Sequence, residues 1–243
     1  MKHLPLLLLS LALAAAAPAR AAPDCSVPSE LLEDDPTLPL FATRLKNKQP
    51  ITIVAIGGAT TAGSAAANPA QESYPHRLEV LLRQRHPGVA ITVLNKGVAR
   101  DTTEEMVERF ARDVYAPAPT LVIWETGTFD AVRGIDVDIF AGALETGIAA
   151  LHQHNFDIVL MNMQYSRSTD GIIDFDPYLE AMGQRADIDD VYLFRRFEMM
   201  RYWSESGIFQ FADVPREQRA GLAAEVYDCI ARRLADAIDY AAR

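Results

Sequence analysis

The stretch ITIVAIGGATTAG, residues 51–63, decides the fold. Its first six residues are apolar or β-branched, which is typical of a strand that is buried on both faces of a sheet. Gly57 and Gly58 end this run, and the residues up to Gly63 form a loop at the carboxyl end of the strand. Ligands of open parallel α/β sheets bind at that end of the strands. The stretch therefore predicts both a central strand and a place for a site.

Similar apolar runs alternate with amphipathic helical stretches along the rest of the chain, which predicts a parallel sheet covered on both faces. Thr102 and Glu105 have the spacing of a capping box and open one of the helices. The predicted helices are 74–86, 102–113, 137–154 and 219–242, and the predicted strands are 51–56, 90–95, 120–125, 158–162 and a weaker 191–194. We expect a flavodoxin-like three-layer α/β/α sandwich with about five parallel strands.

The composition sets limits on domain number and partners. A chain of 243 residues, 49% of them hydrophobic, has the size of a single domain with one core. We place that domain at 51–243, after an N-terminal arm at 22–50 that we expect to lie over the surface. The formal net charge is −10 and becomes −12 if Lys2 and Arg20 are removed with a leader. Such a charge argues against a nucleic-acid partner.

Residues 1–21 have the pattern of a secretory signal peptide. Lys2 and His3 precede an apolar run from Leu4 to Pro18, and Ala19-Arg20-Ala21 fits the small-x-small cleavage rule. A membrane anchor is the alternative, but the run is shorter than the ~20 residues of a spanning helix, and no later segment is long enough. We expect cleavage near Ala21 and a mature protein without a membrane span, in the periplasm or outside the cell.

The chain has two cysteines, Cys25 and Cys229. In an oxidising compartment we expect them to pair and to tie the N-terminal arm to the last helix. Two unpaired thiols are the alternative.

Three loops follow the first three strands and meet at one edge of the predicted sheet: 57–63, 96–102 and 126–130. They resemble the first three sequence blocks of SGNH/GDSL hydrolases, a family of esterases, lipases and carbohydrate deacetylases. The family block G-D-S-x-T-x-G corresponds to Gly57 through Gly63, with Ala59 at the position of the nucleophilic serine. The second block places Gly97 at the glycine whose N–H helps to form the oxyanion hole.

The remaining blocks depart from the family pattern further. The third block, G-x-N-D, reads Gly127-Thr128-Phe129-Asp130, so a phenylalanine replaces the asparagine that donates to the oxyanion. The last block, D-x-x-H, has no counterpart, because no histidine follows His154. An alignment on Asp213 puts Arg216 at the histidine position, and one on Tyr227 puts Gly221 there. Residues 160–165, 194–197 and 199–203 are similar to an exported bacterial subgroup of the family.

Other residues offer alternatives to the missing groups. Thr60, Thr61 and Ser64 carry hydroxyls near Ala59, but a hydroxyl needs an adjacent base to become a nucleophile. Thr61 is better explained as a cap of the following helix, and His76 as an exposed first-turn histidine.

Polar residues elsewhere have ordinary explanations. His152 and His154 point in different directions on a helix end and make a poor metal pair. Trp124 is best explained as an interior residue, with a pocket wall as the alternative, and Glu125 as a general acid has no partner in the sequence. Helix caps and a charged surface explain the acidic residues Asp170, Asp174, Asp176, Asp187, Asp189 and Asp190.

The sequence therefore predicts an exported binding or accessory protein that lacks catalysis. The loss of polar groups makes its pocket apolar, which suits an acyl, aromatic or glycan-ester ligand, and we expect no cofactor and no metal ion. An active ester hydrolase or deacetylase with a rearranged site is the alternative, and a partner in an assembly is a third. The expected pocket residues are Gly58, Ala59, Thr60, Gly97, Thr128 and Phe129.

Overall fold

The fold is an α/β/α sandwich around a single parallel sheet. A computed structural model describes residues 23–212 and 214–243; the predicted signal peptide and Asp213 lie outside these ranges. The five strands have the order β2-β1-β3-β4-β5, and all neighbouring pairs are parallel. This is the expected flavodoxin-like sheet. Chain order reverses between β1 and β3, so the carboxyl ends of these two strands form the switch point where ligands bind in such sheets.

All five predicted strands are present within two residues of the predicted bounds. They are β1 (Ile51–Gly57), β2 (Ile91–Gly97), β3 (Leu121–Glu125), β4 (Asp157–Met161) and β5 (Tyr192–Phe194). Strands β3 and β4 are buried along their whole length. They were recognisable because a strand covered on both faces is continuously apolar.

Two helical layers cover the sheet. Helix α4 packs against α11 in one layer, and α7 packs against α5 and α9 in the other. The α-helices are α1 (Pro39–Lys46), α2 (Ala59–Ala62), α3 (Pro69–Glu72), α4 (Tyr74–Arg85), α5 (Thr103–Glu108), α6 (Thr128–Arg133), α7 (Val137–Gln153), α8 (Arg167–Asp170), α9 (Asp176–Asp189), α10 (Arg196–Glu205) and α11 (Arg219–Ala241).

The helix predicted at 102–113 is shorter than expected. The capping box is confirmed, since Thr102 Oγ1 accepts from the Glu105 N–H and the Glu105 carboxylate accepts from the Thr102 N–H. The α-helix ends at Glu108, and a separate π-helical turn, Ala111–Tyr115, follows. Arg109 lies between the two and donates to the Asp101 carboxylate and to the Lys96 and Gly57 carbonyls.

The N-terminal arm is more ordered than its prolines suggested. It contains α1, whose first helical residue is Pro39. The Asp157 carboxylate accepts hydrogen bonds from the Leu40 and Phe41 N–H groups and so satisfies the free amides of the first turn. Phe41 is fully buried. Helix α1 thus packs against β1 and β4.

A disulfide joins Cys25 to Cys229 of α11, with Cα atoms 5.1 Å apart and 204 positions between them in the sequence. This confirms the expected pairing. Near the bond, the Trp203 indole N–H donates to the Ser26 carbonyl, and the Leu38 N–H donates to the Ala241 carbonyl. The arm is therefore held by α10 and by both halves of α11.

Side chains cover both edges of the sheet. At β5, the Asp34 carboxylate of the arm accepts from the Leu193 N–H. At β2, the Glu79 carboxylate of α4 accepts from the Val93 N–H, and Arg83 donates to the Ile91 carbonyl. Such cover prevents the edge strands from pairing with other chains.

Candidate functional site at the strand tips

A cavity of about 210 Å³ lies at the carboxyl ends of β1 and β3, where the fold predicts a site. We call it the strand-tip cavity. Five of the six residues expected in the pocket line it, and Gly97 does not. Its lining consists of Gly58, Ala59, Thr60, Arg100, Asp101, Met106, Glu125, Thr126, Gly127, Thr128, Phe129, Val132 and Gln164.

Ala59, at the position that corresponds to the family's serine, begins α2 and is exposed. Thr60, its neighbour, donates its hydroxyl proton to the Gln164 amide oxygen at 2.8 Å. An amide oxygen is not a base at neutral pH, so this contact orients Thr60 without activating it. The Thr128 hydroxyl oxygen is buried and has no hydrogen-bond partner among the described residues.

Thr61 does not cap a helix, contrary to the sequence-based explanation. Its side chain is buried and donates to Glu125 Oε2 at 2.9 Å. The Tyr74 hydroxyl lies 3.0 Å from the same Thr61 oxygen, and it is the donor there because the Thr61 proton is already used. Burial raises the pKa of Tyr74, and the nearby Glu125 charge adds to the rise.

Glu125 is the centre of this network. Its carboxylate accepts from the Gly58 N–H at 2.8 Å, from Thr61, and from Arg196 Nη2 at 3.0 Å. Glu125 and Arg196 are both buried, and the bonds to Gly58 and Thr61 hold the two sides of Ala59. Glu125 therefore fixes the turn from β1 into α2. Its role is positional, and its charge is neutralised by Arg196.

Gly97 has a packing role. Its N–H donates to Asn95 Oδ1 at 2.9 Å, and Asn95 Nδ2 donates to the Thr61 carbonyl at 2.7 Å. A Cβ at Gly97 would lie 2.1 Å from the Ala62 backbone nitrogen, so only glycine allows β2 to approach α2 this closely. The N–H expected to stabilise an oxyanion is engaged inside the protein.

The third loop retains an acidic residue below its surface. Asp130 is buried and accepts from both the N–H and the hydroxyl of Thr103, so it ties the β3 loop to the start of α5. Burial raises the pKa of Asp130 despite these bonds. Phe129 is half-buried in the cavity wall, and the Arg133 guanidinium lies 5.8 Å from its ring centre. Phe129 thus presents an aromatic face to the strand-tip cavity.

A second and larger cavity, about 530 Å³, adjoins the first. We call it the α11 cavity because α11 contributes much of its wall. Thr60 and Gln164 line both cavities, so their hydrogen bond lies at the boundary. The lining is mainly apolar and consists of Thr60, Ala65, Gln164, Tyr165, Ser166, Ser168, Met200, Phe211, Ala212, Val214, Arg219, Leu222, Ala223, Val226, Tyr227 and Ile230.

The four described histidines line neither of these cavities. His76 is exposed on the first turn of α4, as expected. His86 contacts Asp239, with Nε2 and Oδ1 2.8 Å apart, but it ends the helix that leads into the start of β2. His152 and His154 end the helix that leads into the start of β4. His86, His152 and His154 therefore lie near the amino ends of the strands, on the side of the sheet opposite the strand tips.

The alternative final blocks do not supply a base either. Asp213 lies outside the described residues. Arg216 and Gly221 are exposed, and neither lines the strand-tip cavity or the α11 cavity.

Within residues 23–212 and 214–243, no group of three or more His, Cys, Asp or Glu is arranged to hold a metal ion. Among the acidic residues between 170 and 190, Asp189 pairs with Arg185 one turn earlier in α9. In the same part of the chain, no helix is long and apolar enough to cross a membrane. Trp124 is fully buried, and its N–H points at Met106 Sδ, so the interior explanation holds.

Two residues of the site were missed or misjudged from the sequence. The sequence indicates Arg196 only as part of residues 194–197, which are similar to an exported bacterial subgroup of the family. It indicates Glu125 only as a general acid for which no partner is visible. A glutamate that closes an otherwise apolar strand is a usable signal, because a carboxylate is almost never buried unless it is paired. The sequence does not indicate which of 23 basic residues forms the pair.

The parallel sheet in the order β2-β1-β3-β4-β5, with its cavity at the switch point, defines an α/β protein of the SGNH-hydrolase fold. The model of the non-GDSL lipase-like family matches residues 24–243, and the chain belongs to that family. No curated protein matches the chain significantly.

Solved structures with the same fold include several esterases. A putative lipolytic protein of the G-D-S-L family from Desulfitobacterium hafniense DCB-2 is 18% identical, with a TM-score of 0.60 over 77% of this chain and 99% of that one. Axe2, an acetylxylan esterase from Geobacillus stearothermophilus, is 18% identical, with a TM-score of 0.62 over 77% and 94%. A two-domain esterase active on acetylated mannans is 18% identical, with a TM-score of 0.66 over 81% and 52%. These likenesses establish the fold.

Proposed function

We propose that this protein is an exported, noncatalytic member of its family that binds an acyl, aromatic or glycan-ester ligand at the strand tips without turnover. The observation that carries the proposal is that a cavity persists at the switch point while Ala59 stands where the nucleophile belongs and no described imidazole lines the cavity. Ester hydrolysis on this plan requires a hydroxyl, a base and donors for the oxyanion. The described threonine hydroxyls of the strand-tip cavity have no histidine beside them in its lining, which supports binding without turnover.

The remaining polar groups support binding. The acids that line the strand-tip cavity are each paired with an arginine, Asp101 with Arg109 and Glu125 with Arg196. The buried Thr128 hydroxyl has no hydrogen-bond partner among the described residues, and Phe129 presents an aromatic wall. A mainly apolar wall with a few convergent polar groups is typical of small-molecule sites.

Export is part of the proposal. The Cys25–Cys229 disulfide fits an oxidising compartment outside the cytoplasm, where the predicted leader would deliver the chain. Relatives by fold act on esterified glycans in two cases, acetylxylan and acetylated mannans, so esters of glycans are natural first candidates.

The test measures binding and turnover on the same samples. Mature protein would be incubated with p-nitrophenyl esters and acetylated xylo-oligosaccharides, product release would be followed, and native mass spectrometry would detect retained intact ligand. We expect a bound, unhydrolysed ligand and product release at the buffer rate. Ala59→Trp should abolish retention by filling the cavity, and the matched control Ala67→Trp, at an exposed position outside the lining, should retain it.

Turnover well above buffer that is lost in Thr60→Ala or His76→Ala would overturn the proposal and would instead establish a hydrolase with a rearranged site. A serine-reactive fluorophosphonate probe gives a second reading, because it labels only an activated hydroxyl. We expect no labelling.

A further inference from the structure

We infer that the ligand is a long-chain monocarboxylate whose carboxylate lies in the strand-tip cavity and whose alkyl tail lies in the α11 cavity. This inference rests on the proposed function and specifies its ligand. It depends on how the two cavities meet and on which charges line them.

The cavities are joined at one place. Thr60 and Gln164 belong to both linings, and the contact between Thr60 Oγ1 and Gln164 Oε1 spans 2.8 Å. Gln164 is exposed and lies within the loop between β4 and α8, so its side chain has room to move. A ligand held at the strand tips would therefore extend past this pair into the larger cavity.

The α11 cavity suits an alkyl chain. Leu222, Val226 and Ile230 recur at spacings of four along α11 and present one apolar stripe to the cavity. Met200 of α10 and Tyr165 after β4 face the same space. Its volume of about 530 Å³ lies within the range of known sites for small organic ligands. The strand-tip cavity, at about 210 Å³, holds only a compact group.

The charges favour an anionic head. Although the whole chain has a formal net charge of −10, the charges in the two linings that lack an ion-pair partner are both positive. They are Arg100 in the strand-tip cavity and Arg219 in the α11 cavity, neither of which forms an ion pair within the described residues. The acids of the linings, Asp101 and Glu125, are already paired.

Arg100 is the expected carboxylate partner. It is exposed and lines the smaller cavity, where its guanidinium has no ion-pair partner among the described residues. Its backbone lies in the left-handed region, with φ of 73°, which few non-glycine residues adopt. Arg219 already donates from Nε to the Val214 carbonyl and lies where the tail would pass, so its alkyl stem is the part that contacts the ligand.

The experiment is a calorimetric titration of the mature, disulfide-bonded protein with saturated monocarboxylates from butanoate to tetradecanoate, which measures the affinity for each chain length. Affinity should rise by about tenfold for every two methylenes until the cavity is filled. The corresponding primary alcohols should bind about two- to fivefold more weakly, and Arg100→Ala should remove this difference. Arg216→Ala, which removes an exposed charge outside both linings, should preserve it.

A second pair of variants tests the tail. Ala223→Phe, in the α11 cavity wall, should lower affinity for the long carboxylates at least about tenfold and leave butanoate unaffected. Ala224→Phe, the next residue of the same helix and outside the lining, should lower neither. If Ala223→Phe fails to fold by circular dichroism, Leu222→Trp at the half-buried rim takes its place.

Affinity that does not depend on chain length, or that falls equally in Ala223→Phe and Ala224→Phe, would overturn the inference. If primary alcohols bind as tightly as the corresponding carboxylates, the ligand does not require an anionic head group, and that part of the inference is wrong. Failure of the proposed function would look different, because it would appear as turnover of esters. If short esters are retained without hydrolysis while these carboxylate tests fail, only the assignment of the ligand is wrong, and binding at the strand tips still stands.

Discussion

Glu125 and Arg196 form a buried ion pair, with Oε1 and Nη2 3.0 Å apart, beneath the turn that carries Ala59. The two residues lie 71 positions apart in the sequence, at the end of β3 and the start of α10. Two nitrogens of Arg196, Nε and Nη1, have no hydrogen-bond partner among the described residues. The guanidinium is therefore only partly compensated, which makes the pair costly to bury and very sensitive to loss of one partner.

We expect Arg196→Met to lower the free energy of unfolding by about 3–5 kcal/mol, because it leaves the Glu125 carboxylate buried without its counter-charge. The double variant Glu125→Gln with Arg196→Met should recover most of this loss, since neither charge remains. Urea denaturation of the two single variants and the double variant gives the coupling energy. Arg133→Met, which breaks the exposed pair with Glu105, serves as a control and should cost under about 1 kcal/mol. Additive losses in the cycle would contradict the assigned coupling.

The disulfide gives a second prediction. Replacing Cys25 and Cys229 by serine opens a loop of 204 positions and should lower the free energy of unfolding by about 5 kcal/mol in the loop-entropy model. Thermal unfolding with and without dithiothreitol measures the effect. The reduced wild type should match the double serine variant, and the variant itself should not respond to the reductant. A midpoint unchanged by reduction would contradict the prediction.

The sheet was predictable because buried parallel strands produce continuous apolar runs, as β3 and β4 show. Helix α1 could not be predicted in this way. The N–H of Phe41 in its first turn is satisfied by the carboxylate of Asp157, which lies 116 positions away in the sequence. Helix α9 was missed for a different reason. It buries only Tyr178, Met182 and Ala186, a stripe too narrow to stand out in the sequence.

Some features of the candidate site could be predicted from the sequence, and others could not. The loops were placed correctly because strand ends meet at one edge of a parallel sheet, and five of the six pocket residues line the strand-tip cavity. Gly97 lies outside the lining, and the Asn95 side chain accepts its N–H, a contact that no spacing rule indicates. The α11 cavity was not anticipated, since it depends on how α10 and α11 pack beside the loop after β4.

Acid should weaken the protein through Asp113. Arg112 first and Arg109 next, by hydrogen bonds from their guanidinium groups, lower the pKa of Asp113 to about 2 from its ordinary value of 3.8. A lowered folded-state pKa gives stability that is fully present above the unfolded value and is lost as pH falls through the folded one. Asp113→Asn should therefore cost on the order of 1–2 kcal/mol at pH 6, and this difference from wild type should vanish between about pH 4 and pH 2.

The measurement is urea denaturation of both proteins across that pH range. Asp157→Asn is an informative comparison, because burial raises the pKa of Asp157 and its pH dependence should have the opposite sign. A difference for Asp113→Asn that grows as the pH falls would contradict the prediction.

Restoring the family's serine should not restore hydrolysis. Ala59 is exposed, so Ala59→Ser should change the free energy of unfolding by no more than about 0.5 kcal/mol and leave the fold intact. The new hydroxyl would still lack a base, and loss of the base alone typically costs about a million-fold in kcat. Ala59→Ser, and the double variant with Phe129→Asn, should therefore hydrolyse p-nitrophenyl acetate at the buffer rate and resist a fluorophosphonate probe.

A catalytic mutant of Axe2 that has alanine in place of serine adopts the same fold, with a TM-score of 0.66 to this chain, which fits a serine that the fold does not need. Labelling of Ala59→Ser by the probe would mean that some group near α2 does act as a base, and the noncatalytic assignment would then be wrong.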